Sequence, residues 1–436
     1  LGAREITLAH REDREKFLAY ALQDVRETRA LSAALSPAWF AQASIFPYNY
    51  QDVIVRGNAT RINSLFLREY LRRGQAVPAP PEPQSYEGGY TDIFFTGVAR
   101  DVWHCDIASL YPSVMLAFGI FPASDTLGVF GDMLARLRRF RLDAKARMRR
   151  AGGPEKARLD ALQGTFKILI NSFYGYLGFA QGNFADFGAA AAVTAKGREL
   201  LRGMVEWLRR RGAGVIEIDT DGIYFTPPAD AMWDGLCAEL GGTLPEGIEV
   251  EFDARYAAMF SYKAKNYALL GEDGKLAIKG AALKSRGLEK FQRVFIRRAV
   301  RALLEGRPEE IPAMRAEFAG ALRGRRWTPE MFAKTESLQD SPEAYLKKIA
   351  SSSRARSAAF EVALRSGRPM QAGDRVTYYI AGAKKSAPAW QSAKAADEWD
   401  PGNPDENIAC YLDKLDDLAA KFDAFVPPGA GGDRLL

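Results

Sequence analysis

Histidine and cysteine are nearly missing from this 436-residue chain: it holds only His10 and His104, and only Cys105, Cys237 and Cys410. Mechanisms built on a Ser-His pair or a histidine-rich metal cluster therefore have almost no material to use. Three widely separated cysteines form neither a disulfide framework nor a cysteine-rich zinc site, and they fit a reducing, cytoplasmic compartment. His104 and Cys105 adjoin in "WHCD", which reads as packing rather than chemistry. There is no run of ~18 apolar residues, so no membrane span is expected. No secretory signal opens the chain, and no internal repeat is visible. It begins on Leu1 rather than Met, as expected of a fragment or processed piece. Chemistry is left to carboxylates, Lys, Arg and Tyr.

The composition, 47% hydrophobic and 26% charged, is ordinary for a globular protein. At ~100–200 residues per domain, two to four domains are expected. Net charge is +6 and the pI about 9.0. The stretch "RLRRFRLDAKARMRR", residues 136–150, has eight Arg or Lys against one acid. It suits a polyanionic partner, although a solvated helix face would look the same. The high Ala, Arg and Gly content points to a GC-rich bacterial or phage source.

Apolar spacing predicts helices over 13–36 and 58–74, the second with Asn58 as N-cap. Pro78, Pro80, Pro81 and Pro83 then mark a stiff linker and a domain boundary. A strand over 102–107 turns at Ser109–Pro112 into a helix. Two long helices, 130–150 and 154–176, form a hairpin that Gly152–Gly153 stop and Pro154 reopens. A helix over 188–211 leads to the hairpin "VIEIDTDGIYF", and 248–280 alternates like strands around the turn "EDGK". From about 290 the chain reads as helical and polar, with 386–407 as a low-order loop. The order gives an α+β class: a mixed sheet interrupted by a helical excursion and followed by a helical unit.

Asp219 and Asp221 lie two apart inside an apolar hairpin, and Asp106 ends an apolar strand. Two such strand ends on one sheet can converge. At ~4 Å, like charges repel by about 4 kcal/mol at an effective dielectric near 20, so a hard cation such as Mg²⁺ would be needed to neutralise them. Read alone, Asp221–Gly222 is equally a hairpin turn with Asp219 as a strand-end cap. In "KILINSFYG", Lys167, Asn171 and Tyr174 stand at i, i+4 and i+7 on one helix face, able to meet a phosphate, a sugar and a base. Arg141 and Lys145, at i and i+4 on the preceding helix, can point at the same polyphosphate.

Together these segments resemble the family B DNA polymerases over nearly the whole chain. "DIASLYPSV" is similar to motif A, "KILINSFYG" to motif B and "DTDG" to motif C, whose usual form is Asp-Thr-Asp-Ser. "YEGG" resembles the Tyr-x-Gly-Gly element, "KNY" the Lys-x-Tyr element, and "RLDAKARM" the first fingers helix. The resemblance implies a right-hand architecture. An exonuclease-like remnant with the Pro-rich linker would occupy 1–85 and a mixed α/β palm 86–125 and 179–289. The helical-hairpin fingers would span 126–178 and a mostly helical thumb 290–436. It implies catalytic carboxylates Asp106, Asp219 and Asp221, with two Mg²⁺ ions (Mn²⁺ able to substitute) on Asp106, Asp221 and the Ile107 carbonyl. The incoming dNTP would meet Ser109, Leu110, Tyr111, Arg141, Lys145, Lys167, Asn171 and Tyr174, with Tyr111 as the steric gate against a ribose 2′-hydroxyl. Primer–template DNA would be tracked by Tyr86, Gly88, Gly89, Lys263, Lys265, Tyr267 and Arg286.

The implied activity is template-directed DNA synthesis by two-metal phosphoryl transfer with release of pyrophosphate, in the cytoplasm at the nucleoid. No membrane is involved, and partners in processivity or repair are not implied. "YALQD" resembles the third exonuclease motif, and the first two are not in this stretch, so no proofreading is expected from it. Only 61 positions separate Asp106 from Lys167, which disfavours the protein-primed branch with its large insertion. Gly222 departs from the usual Ser of motif C, and Glu217–Ile218 depart from the usual Tyr-Gly before it. The alternatives are an inactive, polymerase-shaped DNA-binding scaffold and a metal-dependent nuclease.

Overall fold

The structure is a computed structural model that describes residues 3–427 except 286, 368, 385 and 386, with side chains from Ile6 onward. Four helices precede the sheet: α1 (Ala3–Glu12), α2 (Arg14–Ala43), α3 (Tyr50–Val55) and α4 (Asn58–Arg72). Asp13 caps α2 by accepting the Lys16 amide, and the helix runs past the predicted 36 to Ala43 with Pro37 inside it. The predicted cap of α4 is corrected. Gly57 holds that position, and Asn58 in the first turn instead donates to Ser172 Oγ at 2.8 Å. The α4 face of Ile62, Leu65, Phe66 and Tyr70 is buried. Residues 75–89 then form neither helix nor strand, as their prolines predict.

The main sheet is built from β1 (Tyr90–Ile93), β2 (Gly97–Ile107), β3 (Gly214–Thr220), β4 (Gly222–Thr226), β5 (Val250–Lys263), β6 (Asn266–Gly271) and β7 (Leu276–Ile278). Their spatial order is β1-β3-β4-β2-β5-β6-β7, and every neighbouring pair is antiparallel. Between β2 and β3 lie α5 (Leu110–Phe118), α6 (Val129–Arg150), α7 (Gly153–Leu177) and α8 (Phe187–Arg210), and α9 (Trp233–Gly241) follows β4. Side chains alternate across a strand. Trp103, Cys105 and Ile107 of β2 and Ile223 and Phe225 of β4 enter the core built with these helices. Val102 and Tyr224 join a smaller apolar cluster with Met259 and Tyr267. By the same alternation, His104, Asp106 and Gly222 share that second face.

The helical excursion is the predicted hairpin. Gly152 caps α7, Gly153 starts it at φ 54°, and Pro154 sits in its first turn. Apolar positions Phe130, Leu134 and Leu137 anchor α6 while most of its basic residues stay outside, with Arg147, Arg149 and Arg150 at the end where cations complement the helix dipole.

The C-terminal region is mostly helical, as expected, but it adds a small sheet and an apolar core that the polar reading did not predict. The helices here are α10 (Ala281–Lys284), α11 (Lys290–Glu305), α12 (Glu310–Arg323), α13 (Pro329–Phe332), α14 (Pro342–Ala350), α15 (Ala358–Arg365), α16 (Ala389–Ser392) and α17 (Ile408–Ala419), and α15 packs on a three-stranded antiparallel sheet. That sheet comprises β8 (Lys334–Ser337), β9 (Arg375–Ile380) and β10 (Ala393–Ala395), ordered β10-β9-β8. A second core, with Phe291, Phe295, Phe318, Tyr379 and Tyr411, joins these elements. Its apolar residues are spread over many short elements, so no window of sequence looks apolar. The predicted low-order loop instead holds α16 and β10, and its Trp399 donates to buried Glu406 at 2.9 Å.

Phe66 of α4 stacks on Tyr176 of α7 and on Phe184, tying the N-terminal helices to the sheet-facing core. Phe66 is fully buried, so Phe66→Ala is expected to cost about 3–5 kcal/mol. Urea denaturation checks this, and a loss below about 1 kcal/mol would refute the bridging role.

Candidate active site

Asp106 sits at the end of β2, and Asp221 in the tight connection between β3 and β4. Because β4 lies between β3 and β2, Asp106 stands opposite Gly222, and the Ile107 amide donates to the Asp221 carbonyl at 3.0 Å. The two strand ends therefore converge. Thr220 closes β3 and Asp221 alone lies between the two strands, with Asp219 opposite Gly222. Thr220 has φ 70°, a left-handed conformation that costs a β-branched residue energy and that functional turns retain. This removes the reading of Asp221–Gly222 as an ordinary two-residue turn, since Gly222 already belongs to β4.

Burial pushes the Asp106 carboxyl up to about 6, aided by the negative charges of Asp253, Asp221 and Glu251 and opposed by His104. Burial, then Asp219, also raises Asp221. Both groups hold protons more tightly than free carboxylates, as expected where a counter-cation is wanted. Among the described residues no three His, Cys, Asp or Glu side chains assemble into a metal cage. Two carboxylates still fit Mg²⁺, which takes one or two and completes its shell with water and substrate phosphates.

Asp219 is already engaged. Tyr267 donates to its Oδ2 at 2.8 Å, and Lys265 Nζ lies 3.6 Å from its Oδ1 while donating to Thr220 Oγ1. Tyr267 is only 3% exposed, so it is a buried support for Asp219 and not an open DNA-facing side chain. Lys263 and Lys265 are exposed. Beneath them, fully buried Glu217 accepts the Lys265 amide at 2.6 Å and Ser261 Oγ at 3.0 Å. That carboxylate holds the β5–β6 turn, where Lys265 has φ 61°. Burial raises the Glu217 carboxyl, and the two donors work against the rise. Glu217 fills one of the three positions at which the sequence departs from the family pattern, and its departure alone could have flagged it.

On the other side, Ser109 (φ 51°) starts α5, Leu110 is buried, and the Tyr111 ring lies 4.2 Å from the Tyr174 ring. Burial, then the neighbouring Tyr86 hydroxyl, raises the Tyr174 phenol. A Cβ on Gly89 would lie 2.3 Å from the Tyr111 hydroxyl, so only glycine lets this backbone approach. Arg198 of α8 straps the loop, donating to the Glu87 and Gly88 carbonyls at 3.1 and 2.6 Å. From α6, Arg141 donates to Ser109 Oγ at 3.3 Å while its Nε is buried without a partner among the described residues, and Lys145 lies 4.0 Å from Glu251. Lys167 on α7 is exposed yet close enough to favour the charged forms of Asp221 and Asp253. Asn171, one turn on, is exposed. Arg286 lies outside the described residues. Asp253 and Arg198 were missed because neither belongs to a recognisable motif. Register and packing alone bring them here.

A sequence model described as DNA polymerase family B matches residues 119–224. The chain is 32% identical to a DNA polymerase of Archaeoglobus fulgidus over 301 residues, which are 63% of this chain and 38% of that protein. It is 27% identical to DNA polymerase 1 of Pyrococcus abyssi over 327 residues, 67% of this chain and 42% of that one. The chain thus spans less than half the length of either relative. These relatives are archaeal, so they do not bear out the bacterial or phage source suggested by composition. In fold, the chain is similar to the family B DNA polymerase of the archaeon Pyrobaculum calidifontis, with a TM-score of 0.70 at 22% identity over 95% of this chain and 57% of that one.

A carboxyl raised from 3.8 to about 6 favours the fold in its protonated form, so its contribution is lost as pH rises through that window. Without divalent cations, Asp106→Asn is expected to gain melting temperature relative to the native chain as pH rises from about 4 to about 7. A difference that stays constant with pH would contradict the raised value.

Proposed function

We propose that this chain is the synthetic portion of a DNA-directed DNA polymerase, adding dNMP from dNTP to a primer 3′-hydroxyl. The observation that supports this most is the convergence of Asp106 and Asp221 at one end of the central strands, with the cations of the α6–α7 hairpin facing them. In this reading β1–β7 with α5, α8 and α9 form the palm within 86–125 and 179–289. The α6–α7 hairpin gives the fingers within 126–178, residues 290–436 the thumb, and residues 1–85 an exonuclease-like remnant.

Mg²⁺ ions, or Mn²⁺ in their place, held by Asp106, Asp221 and the Ile107 carbonyl would neutralise charge on the reacting oxygens. The chain's own residues do the positioning. Arg141, Lys145 and Lys167 take the triphosphate, with Arg141 leaving Ser109 and Lys145 leaving Glu251 as phosphate oxygens arrive. Asn171 supports that site. Tyr111, backed by Tyr174 and held by the Gly89 backbone, forms a flat wall under the sugar of the incoming nucleotide. Asp219, fixed by Tyr267 and Lys265, holds the hairpin tip, and exposed Lys263 and Lys265 face the primer–template duplex, to which Tyr86, Gly88, Gly89 and Arg286 are also assigned. Catalysis is then mainly orientation and charge neutralisation as the primer oxygen displaces pyrophosphate.

Asp106→Ala and Asp221→Ala are each expected to abolish primer extension with Mg²⁺ while DNA binding survives. Full extension by the Asp221 variant would overturn the assignment. Tyr111→Ala and Tyr111→Val should raise ribonucleotide incorporation, and unchanged sugar discrimination would remove the gate role. Labelled DNA incubated without nucleotides separates a nuclease from a polymerase: degradation that needs Asp106 would favour the former.

A further inference from the structure

Gly222 is the residue of the acidic hairpin that the family pattern leaves unexplained. Its backbone is unremarkable in φ, so conformational freedom is not what it supplies. Space is. A Cβ at this position would lie 2.3 Å from His104 Nε2, 2.8 Å from His104 Cε1 and 3.2 Å from the Cys105 carbonyl. Side-chain carbons do not approach other atoms that closely, so the imidazole or one of the two strands would have to move.

The imidazole is not free to swing aside. Its Nδ1 bonds Asp253 Oδ1 at 2.5 Å, and its ring lies 4.3 Å from that of Tyr224. Its side chain is only 13% exposed. Asp253 reaches it through an irregularity in the ladder. His104 pairs with Ala254 and Cys105 with Phe252, which leaves Asp253 as the extra residue of a β-bulge. Bulges re-aim side chains in this way beside functional sites.

We propose that His104 is a positioning residue for the paired carboxylates and that Gly222 is the space it requires. Anchored by Asp253 on β5 and seated over Gly222 on β4, the ring of His104 on β2 spans three neighbouring strands. Gly222 follows Asp221 directly and stands opposite Asp106, so this wedge sets the spacing of both acids. The serine common at this point of motif C is incompatible with the histidine, and the two positions form a compensated pair. The functional half of the claim rests on Asp106 and Asp221 as the metal-holding pair. The packing half stands without it.

A double-mutant cycle tests both halves with His104→Ala, Gly222→Ser and the combined variant. Three quantities are read: melting temperature without metal, Mn²⁺ affinity by electron paramagnetic resonance without DNA or nucleotide, and single-turnover primer extension. Gly222→Ser is expected to lower all three, with at least about a tenfold loss in Mn²⁺ affinity and in extension rate. His104→Ala should lose less. The combined variant should return to within about threefold of His104→Ala, because the added hydroxymethyl group then has room. A Gly222→Ser variant that behaves like the native chain overturns the proposal. So do losses that simply multiply in the combined variant. Rescue of melting temperature without rescue of Mn²⁺ affinity overturns the positioning role specifically. Because Mn²⁺ affinity is read apart from extension, a chain that binds metal but extends nothing would fail the polymerase reading and leave this one standing.

Discussion

Carboxylates half-buried together at one end of the central strands are the constraint around which the rest of the structure is arranged. Burial raises the proton affinity of both Asp106 and Asp221, with Asp253, Asp221 and Glu251 adding to the rise at Asp106 and Asp219 adding to it at Asp221. Left to flexible loops, such groups would splay into water. Here they stand on the middle strands of a seven-stranded antiparallel sheet whose other face is pinned by Trp103, Cys105, Ile107 and Phe225 against a helix-built core. The apolar hairpin around Asp219 and Asp221 is thus the rigid mount for the charge. The left-handed Thr220 is tolerated because ladder bonds on both sides over-determine the turn.

Every neighbouring device serves that mount. Glu217, Ser261, Lys265 and Tyr267 lock the β5–β6 turn to the β3 strand and hold Asp219 from below. Arg198 and Thr194 clasp the Tyr86–Gly89 loop to α8, and Gly89 leaves room for the hydroxyl end of Tyr111. The basic α6–α7 hairpin brings opposite charge to the open side. Its cations Arg141 and Lys145 rest on Ser109 and Glu251, partners that they would exchange for phosphate oxygens in the proposed reaction.

Much of this was legible in the sequence for identifiable reasons. Paired acids inside apolar strands violate the usual cost of burial, so Asp106, Asp219 and Asp221 stood out. Gly152 and Pro154 punctuate the helical hairpin with unambiguous local chemistry, and the structure breaks the helices there. The illegible features depend on register. Asp253 faces the site only because a bulge turns it, and Glu217 only because β3 lies near the β5–β6 turn. Asn58 looked like a cap but found Ser172, 114 positions away, as a better partner. The C-terminal sheet escaped notice because its strands are short and β10 has three residues. Gly222 resisted explanation because its reason is a histidine on another strand.

The central claim is that Asp106 and Asp221 are held together to receive divalent metal and a triphosphate. It is tested most directly by a crystal grown with a dideoxy-terminated primer–template, the next dNTP and Mn²⁺, measured at the manganese absorption edge. The account predicts anomalous peaks between Asp106 and Asp221, beside a triphosphate that contacts Lys167 and Arg141. Manganese absent from that pair, or a triphosphate bound away from the α6–α7 hairpin, would contradict it.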